Sequence, residues 1–297
     1  MRTPVAFLIF NRPDTTKRVF EAIRQAKPSK LLVVADGPRK NRPDDKKKCA
    51  DARAVIERVD WDCQVLTNYS DTNLGCKQRV SSGLDWVFSQ VEEAIIIEDD
   101  CIPHLSFFRF CEELLEYYRD EEKVWHIAGT NLTPISDLKS SFLFSRLVPI
   151  WGWATWKRAW QHYDIEMKLW SKYKHSEDLK YFGSQQQNVY QVFENNYHSL
   201  IDTWDGQWAF SCVAHQSLSI IPKTNLVTNI GFRSDATHTK GKSKFASIPV
   251  RGLDFPLVKP LNMIPNQEFD EKFLSFLNGS EFSLVSKIKQ LIRKTVL

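Results

Sequence analysis

The sequence predicts an α/β fold, a mostly parallel sheet with helices on both faces. Short, near-continuous apolar runs (Val5 to Phe10, Leu31 to Ala35, Ala94 to Ile97) alternate with longer segments whose apolar residues recur at helical spacing. Strands apolar on both sides belong to a sheet buried on both faces, and strand-helix alternation favours parallel order. With 297 residues, 42% hydrophobic and 12% aromatic, the chain can build a large core, which excludes disordered and fibrous classes.

The first strand ends in Asn11-Arg12-Pro13-Asp14. Pro13 suits the first turn of a helix, where its missing N–H is no loss, and Val19, Phe20 and Ile23 supply that helix's inner face. Leu31 to Ala35 stops at Asp36-Gly37-Pro38, a turn with a carboxylate on its rim. The mixed-charge run Lys40 to Lys48 reads as an exposed loop entering a helix over about 50–59, and Cys63 to Leu66 as a third strand. Asn73-Leu74-Gly75 is a turn before a helix carrying Val80, Leu84, Val87 and Phe88.

The next strand, Ala94 to Ile97, runs into Glu98-Asp99-Asp100. Pro103 is expected to open the following helix, which extends to Tyr118. In open α/β sheets ligands bind outside the carboxyl ends of the strands. Three adjacent carboxylates there repel one another unless a cation or hydrogen-bond donors neutralise them. Their hard oxygens suit Mg²⁺ or Mn²⁺, with a nucleotide's phosphates completing the shell. The competing reading is an acidic loop in which Asp99 or Asp100 caps the helix.

Val124 to Ala128 is another strand. The second half is less regular and rich in tryptophan: Trp151-Gly152-Trp153-Ala154-Thr155-Trp156, Trp160 and Trp204-Asp205-Gly206-Gln207-Trp208. Ser184 to Leu200 reads as a polar helix and Leu218 to Ile221 as a strand. No repeat or linker separates the halves, so residues 1–281 read as one unit, with halves of about 1–139 and 140–281 and a tail of 282–297.

The net charge is +4, and the tail accounts for it: Lys287, Lys289, Arg293 and Lys294 with no acid, leaving 36 basic against 36 acidic residues. A nucleic-acid protein needs a broad basic face, so that class is not expected. Six cysteines lack CxxC pairs and read as reduced thiols rather than a disulfide or zinc framework. No signal-peptide pattern or membrane-length apolar run is present. The expected location is therefore cytoplasmic. Leu284, Val285, Ile288, Leu291 and Ile292 share one helical face in the tail, which either packs on the protein or makes a peripheral contact with an anionic membrane.

This ordered set of motifs resembles the nucleotide-sugar glycosyltransferases of the A type (GT-A), and most nearly the N-acetylglucosaminyltransferase I family. The matching pieces are the Pro4-Val5 strand ending in an Arg, the strand ending in Asp36, the Glu98-Asp99-Asp100 triplet with its Phe-rich helix, Pro149-Ile150-Trp151-Gly152-Trp153, Trp204-Asp205, and Pro222 before Asn229-Ile230-Gly231. The likeness spans roughly residues 4–239 and implies a GT-A, Rossmann-like mixed sheet continuous with an acceptor-binding C-terminal half. It implies Asp100 as metal ligand for Mn²⁺ or Mg²⁺, Glu98 and Asp99 on the ribose side, Arg12 on the diphosphate and Asp36 on a uracil ring. It also implies Asp205 as the base that deprotonates the acceptor hydroxyl. Asp36 reads equally well as a turn-forming residue.

The sequence departs from the family at two places. Gly206 and Gln207 separate Asp205 from Trp208 where the family has one acid, which keeps Asp202 open as the base. Gly83 sits near the family's histidine, which weakens the uracil assignment. His238, beside Lys240 and Lys242, is either a solvated loop residue or a further ligand near the metal. Trp151 and Trp153 are expected to hold the acceptor sugar on their ring faces, with Gly152 allowing close backbone approach, whereas Trp156 and Trp160 read as core.

The implied activity is metal-dependent, inverting transfer of a sugar from a nucleotide-diphosphate donor, UDP-linked, to a glycan or lipid-linked acceptor. A sugar-nucleotide pyrophosphorylase needs a Gly-rich basic loop after the first strand, which Asn11-Arg12-Pro13-Asp14 is not. The alternatives are such a pyrophosphorylase and a non-catalytic sugar-binding module.

Overall fold

The computed structural model describes residues 1–232 and 248–279. Strand β1 (Val5–Ile9) leads into α1 (Pro13–Ala26), with Pro13 in the first turn as expected. There follow β2 (Lys30–Ala35), α2 (Asp45–Ala54) with a short 3₁₀ turn over Val55–Arg58, β3 (Gln64–Tyr69), α3 (Cys76–Gln90) and β4 (Glu93–Glu98). Helix α2 begins five residues before the expected start. Asp45 in its first turn is buried, bonded by Arg39 and by the Asn11 side chain at 2.8 Å, so part of this charged run is tied down rather than solvated.

Pro103 does not open a helix. Cys101–Pro103 forms a short strand, β5, paired antiparallel with β10 (Val227–Asn229). Helix α4 (Leu105–Tyr117) starts two residues later, and the ring of His104 caps it by accepting from the Ser106 N–H at 3.1 Å. The local preference of proline for a first turn yields here to a tertiary strand pairing.

The chain continues through β6 (Val124–Ala128), β7 (Phe142–Ser145), β8 (Trp153–Trp156), the short helices α5 (Lys157–Trp160) and α6 (Trp170–Tyr173), α7 (Gln186–Tyr197), α8 (Asp205–Ala214), β9 (Leu218–Pro222), β10 and α9 (Gln267–Asn278). The main sheet has eight strands in the order β3-β2-β1-β4-β8-β6-β9-β7. Its first four strands are mutually parallel, β8 is inserted antiparallel between β4 and β6, and β7 is antiparallel on β9. The fold is thus an α/β, Rossmann-like, mostly parallel mixed sheet flanked by helices, and the sheet runs through both halves of the chain.

Strand alternation sorts side chains onto two cores. Val5, Phe7, Ile9, Leu31, Val33, Ile95 and Ile97 face α1 and α4, while Ala6, Leu8, Leu32, Val34 and Ile96 face α3. Trp153, Trp160, Trp204 and Trp208 belong to the second core. Strand order sets the site. β1 is followed outward by β2 and β3, whereas β4 lies on its other side, so the switch in direction falls between β1 and β4. The loops leaving such adjacent carboxyl ends diverge and open a crevice.

Candidate active site

The loops that leave β1 and β4 carry Arg12 and the acidic triplet. An Arg12 N–H donates to Asp100 Oδ2 at 2.6 Å and lies 3.8 Å from Asp99 Oδ1. Asp99 is buried and its other oxygen accepts the Phe10 backbone N–H at 3.1 Å, which ties the two strand ends together. Neither aspartate caps α4.

Glu98 is the unsatisfied member. Among the described residues it has no hydrogen bond or ion pair, and burial together with Asp100, Asp205 and Asp99 pushes its carboxyl well above the usual range. Burial likewise raises Asp99, to about 7, with Arg12 pulling the other way and Asp100 adding to the rise. Burial opposes the charge on Arg12, but Asp99 and Asp100 outweigh it and hold the guanidinium charged. Among the described residues, one cation against three carboxylates leaves the cluster short of positive charge.

The Asn229-Ile230-Gly231 stretch closes on the same acids. The Ile230 N–H donates to the Asp100 carbonyl at 2.7 Å, and Gly231 N–H donates to Asn229 Oδ1 at 2.7 Å. A β-carbon on Gly231 would stand 2.2 Å from Asp100 Oδ2, so any side chain there would push the carboxylate aside.

Asp205 begins α8 and is half-buried. Its Oδ1 accepts from the Thr203 hydroxyl and from the Gly206 N–H at 2.9 Å, while Oδ2 has no hydrogen-bond partner among the described residues. One oxygen is therefore fixed and the other available. Asp205 lies close enough to act on the charge of Glu98 and of Cys76, whose thiol is raised first by burial and then by these acids. Asp202 is engaged elsewhere: its oxygens accept the Cys76 and Lys77 N–H groups at 3.0 and 2.9 Å, capping the N-terminus of α3. Thr203 was missed in the sequence, its one signal being a hydroxyl two residues before the acid.

Asp36 is buried and fully used. Oδ1 accepts from the Gly37 and Leu74 N–H groups (2.8 and 2.9 Å), and Oδ2 from the Asn73 amide and the Gly75 N–H (2.7 and 3.2 Å). A carboxylate has about four lone-pair sites, and all are taken in holding the Asn73–Gly75 turn, which leaves none for a base. Burial pushes its pKa up against those donors.

Trp153 is fully buried in β8, stacked on His126 at 5.1 Å and Trp204 at 5.5 Å, and presents no ring face to a ligand. Gly152 takes φ 63°, and a β-carbon there would meet Val227 at 2.8 Å, so the close approach is to β10 rather than to a sugar. Trp156 and Trp160 are core residues whose N–H groups reach the Leu115 carbonyl and Asp85. Trp151 is only half-buried; its ring meets Phe232 edge-on at 5.4 Å, and Phe232 follows Gly231 in the chain. His238 and the tail 282–297 lie outside the described residues.

No protein-family model matches the chain, and no curated protein matches its sequence. Among solved structures, the mannosyltransferase PcManGT from Pyrobaculum calidifontis, in complex with GDP-Man and Mn²⁺, is 11% identical over 73% of this chain and 74% of its own, with TM-score 0.40. TarS residues 1–349 from S. aureus is 10% identical over 66% of this chain and 55% of its own, with TM-score 0.37. A UDP-glucose pyrophosphorylase complexed with UDP-glucose is 9% identical over 55% of this chain and 79% of its own, with TM-score 0.33. These likenesses are partial, and the chain spans little more than half of the TarS fragment. Neither sequence comparison returns the N-acetylglucosaminyltransferase I family. What the site can do follows from its own geometry.

Proposed function

We propose that the protein is a glycosyltransferase of the GT-A type that moves a sugar, with inversion, from a nucleotide-diphosphate donor to a hydroxyl of a glycan or lipid-linked acceptor. The observation that carries this reading is the pairing of an acidic cluster at the β1/β4 switch point with one pinned carboxylate, Asp205, near enough to act on the charge of Glu98. Asp205 Oδ2 takes the proton of the incoming hydroxyl, and Thr203 and the Gly206 N–H keep the carboxylate oriented. A base on the far side of the sugar from the phosphates gives in-line attack, hence inversion. Arg12 holds the diphosphate and, with Asp99, keeps the strand ends in place.

The donor set suits a hard divalent cation. Among the described residues the Glu98 carboxylate has no partner, and Asp100 Oδ1 is met by the weak Cys101 thiol donor at 3.4 Å and the Asn229 amide at 3.5 Å. Among the described residues no three acidic, His or Cys groups are arranged to hold a metal alone, so Asp100 would share Mn²⁺ or Mg²⁺ with the donor's phosphates. That cation would offset charge on the departing diphosphate. Trp151 borders the sugar. With Asp36 fully bonded, the proposal assigns no base, and UDP is one member of the donor class.

The test is nucleotide release from UDP-, GDP- and dTDP-sugars with Mn²⁺, with and without EDTA. Release that depends on donor and metal is the expected result. Thermal stabilisation by free glycans without any nucleotide effect would overturn the reading in favour of a sugar-binding module.

A further inference from the structure

Gly206 and Gln207, which separate Asp205 from Trp208, lie against the turn that carries the carboxylate. Gln207 is the third residue of α8 and is 0% exposed. Its amide fits one way round. The nitrogen donates to the carbonyls of Thr203 at 2.8 Å and Trp204 at 3.2 Å, and the oxygen accepts from the Lys77 ammonium at 3.2 Å. The opposite orientation would set the oxygen against two carbonyls and the nitrogen against a cation, so the network itself assigns the atoms. A Glu or Gln at the third helical position commonly reaches back to accept the N–H of the capping residue. Here the side chain reaches back as a donor, a role that an ionised carboxylate cannot fill.

The groups it holds are those that hold the base. Thr203 supplies the hydroxyl bonded to Asp205 Oδ1, and its carbonyl is one of the two that Gln207 ties down. The Trp204 carbonyl also accepts the Tyr163 hydroxyl at 3.3 Å. The Gly206 N–H bonds the same Oδ1 at 2.9 Å, and the buried Asn196 amide lies directly against Gly206. Lys77 carries the network outward. Its ammonium also donates to Ser199 Oγ at 3.2 Å and its backbone N–H to Asp202 Oδ1 at 2.9 Å, which ties the start of α3 to the 199–202 turn and to α8. An amide is costly to bury unless it is bonded, and an apolar side chain would fill the same space without that demand. Gln207 uses both of its N–H groups on the two residues that precede Asp205.

We infer that Gln207, backed by Lys77, is a positioning residue for Asp205: it fixes the turn from which the carboxylate projects, and so the direction of Oδ2. The inference rests on the transferase reading, in which Oδ2 takes the proton of the incoming hydroxyl. Fully buried, Gln207 acts through Thr203 and Trp204 rather than on the reacting atoms.

The experiment measures nucleotide release by the full chain with Mn²⁺ on the donor that the panel identifies, separating kcat from donor KM. Gln207→Met keeps the bulk and removes the clamp. Its kcat is expected to fall by roughly 10–10²-fold, up to the scale of a 1 Å misplacement, with donor KM and UDP–Mn²⁺ affinity within about twofold of wild type. Lys77→Met changes a half-buried side chain and is expected to lower kcat by a smaller factor, which keeps a second reading of the network should Gln207→Met fold poorly. The double variant should lose no more than Gln207→Met alone, because both act through one network. Wild-type kcat in both single variants, with Asp205→Asn impaired, overturns the inference and leaves the transferase reading standing. A parallel fall in kcat, UDP–Mn²⁺ affinity and melting temperature also overturns it, in favour of a merely structural amide. Absence of donor- and metal-dependent release by the wild type removes the transferase reading and the inference with it.

Discussion

Gly231→Ala is a minimal perturbation aimed at the acidic cluster. The added carbon would stand 2.2 Å from Asp100 Oδ2, 2.9 Å from its Cγ and 3.1 Å from Asn229 Oδ1. Restoring ordinary contact requires the carboxylate to move by about 1 Å, and a displacement of that size in a catalytic constellation costs roughly 10²-fold in rate. The move also disturbs the 2.6 Å bond from Arg12, so both groups proposed to face the donor's phosphates shift together and donor affinity should fall with the rate. Gly231 is a half-buried loop residue outside the apolar cores, so the melting temperature should hardly change. The assay is calorimetric titration of UDP with Mn²⁺, followed by turnover on the donor that the panel identifies. Unchanged affinity and turnover would refute the placement of Asp100 at the donor's phosphates.

Asp100→Asn should weaken metal-dependent nucleotide binding while leaving the melting curve in place, and a titration with unaltered UDP–Mn²⁺ affinity would count against it. Asp205→Asn should lower turnover by roughly 10²–10⁴ with donor affinity retained, whereas Asp202→Asn should cost about 1 kcal/mol of stability through the α3 cap and spare the chemistry. The opposite ranking in steady-state kinetics would move the base. Trp153→Ala should destabilise the fold by about 3–5 kcal/mol in denaturant unfolding as a core deletion, while Trp151→Ala, whose ring packs only in part on the apolar clusters, should cost less stability and act on KM as well. Asp270 is buried against Ser145, Arg146 and Tyr181, and burial raises its pKa from 3.8 to about 6. An acid whose folded pKa is raised favours the folded state most below its unfolded pKa, so the wild type should lose about 3 kcal/mol as pH rises from 3.8 through 6. In Asp270→Asn that slope should vanish, and parallel stability curves for the two proteins would refute it.

Local pattern was enough for the parallel core. The runs at Val5, Leu31 and Ile95 are apolar on both faces, which in water is tolerable only for strands covered on both sides, and Pro13 and the Asn73–Gly75 turn mark where helices begin. The same pattern located Arg12 and the Glu98–Asp100 triplet, because charge directly after a buried strand falls at the sheet's carboxyl edge. Tertiary structure decided the rest. Trp153 lies between β4 and β6 as part of an inserted antiparallel strand, and only that long-range pairing turns a sugar-binding candidate into core. Cys101–Pro103 becomes a strand because residues more than a hundred positions later supply its partner. In the sequence Asp36 reads equally as a ligand for a uracil ring or a turn former, and Asp202 as a substitute base; folding brings backbone N–H groups to both, which leaves Asp205 with an oxygen to spare among the described residues. Sequence shows which residues carry charge; the hydrogen bonds that use it up, or leave it available, depend on distances that only the assembled chain sets.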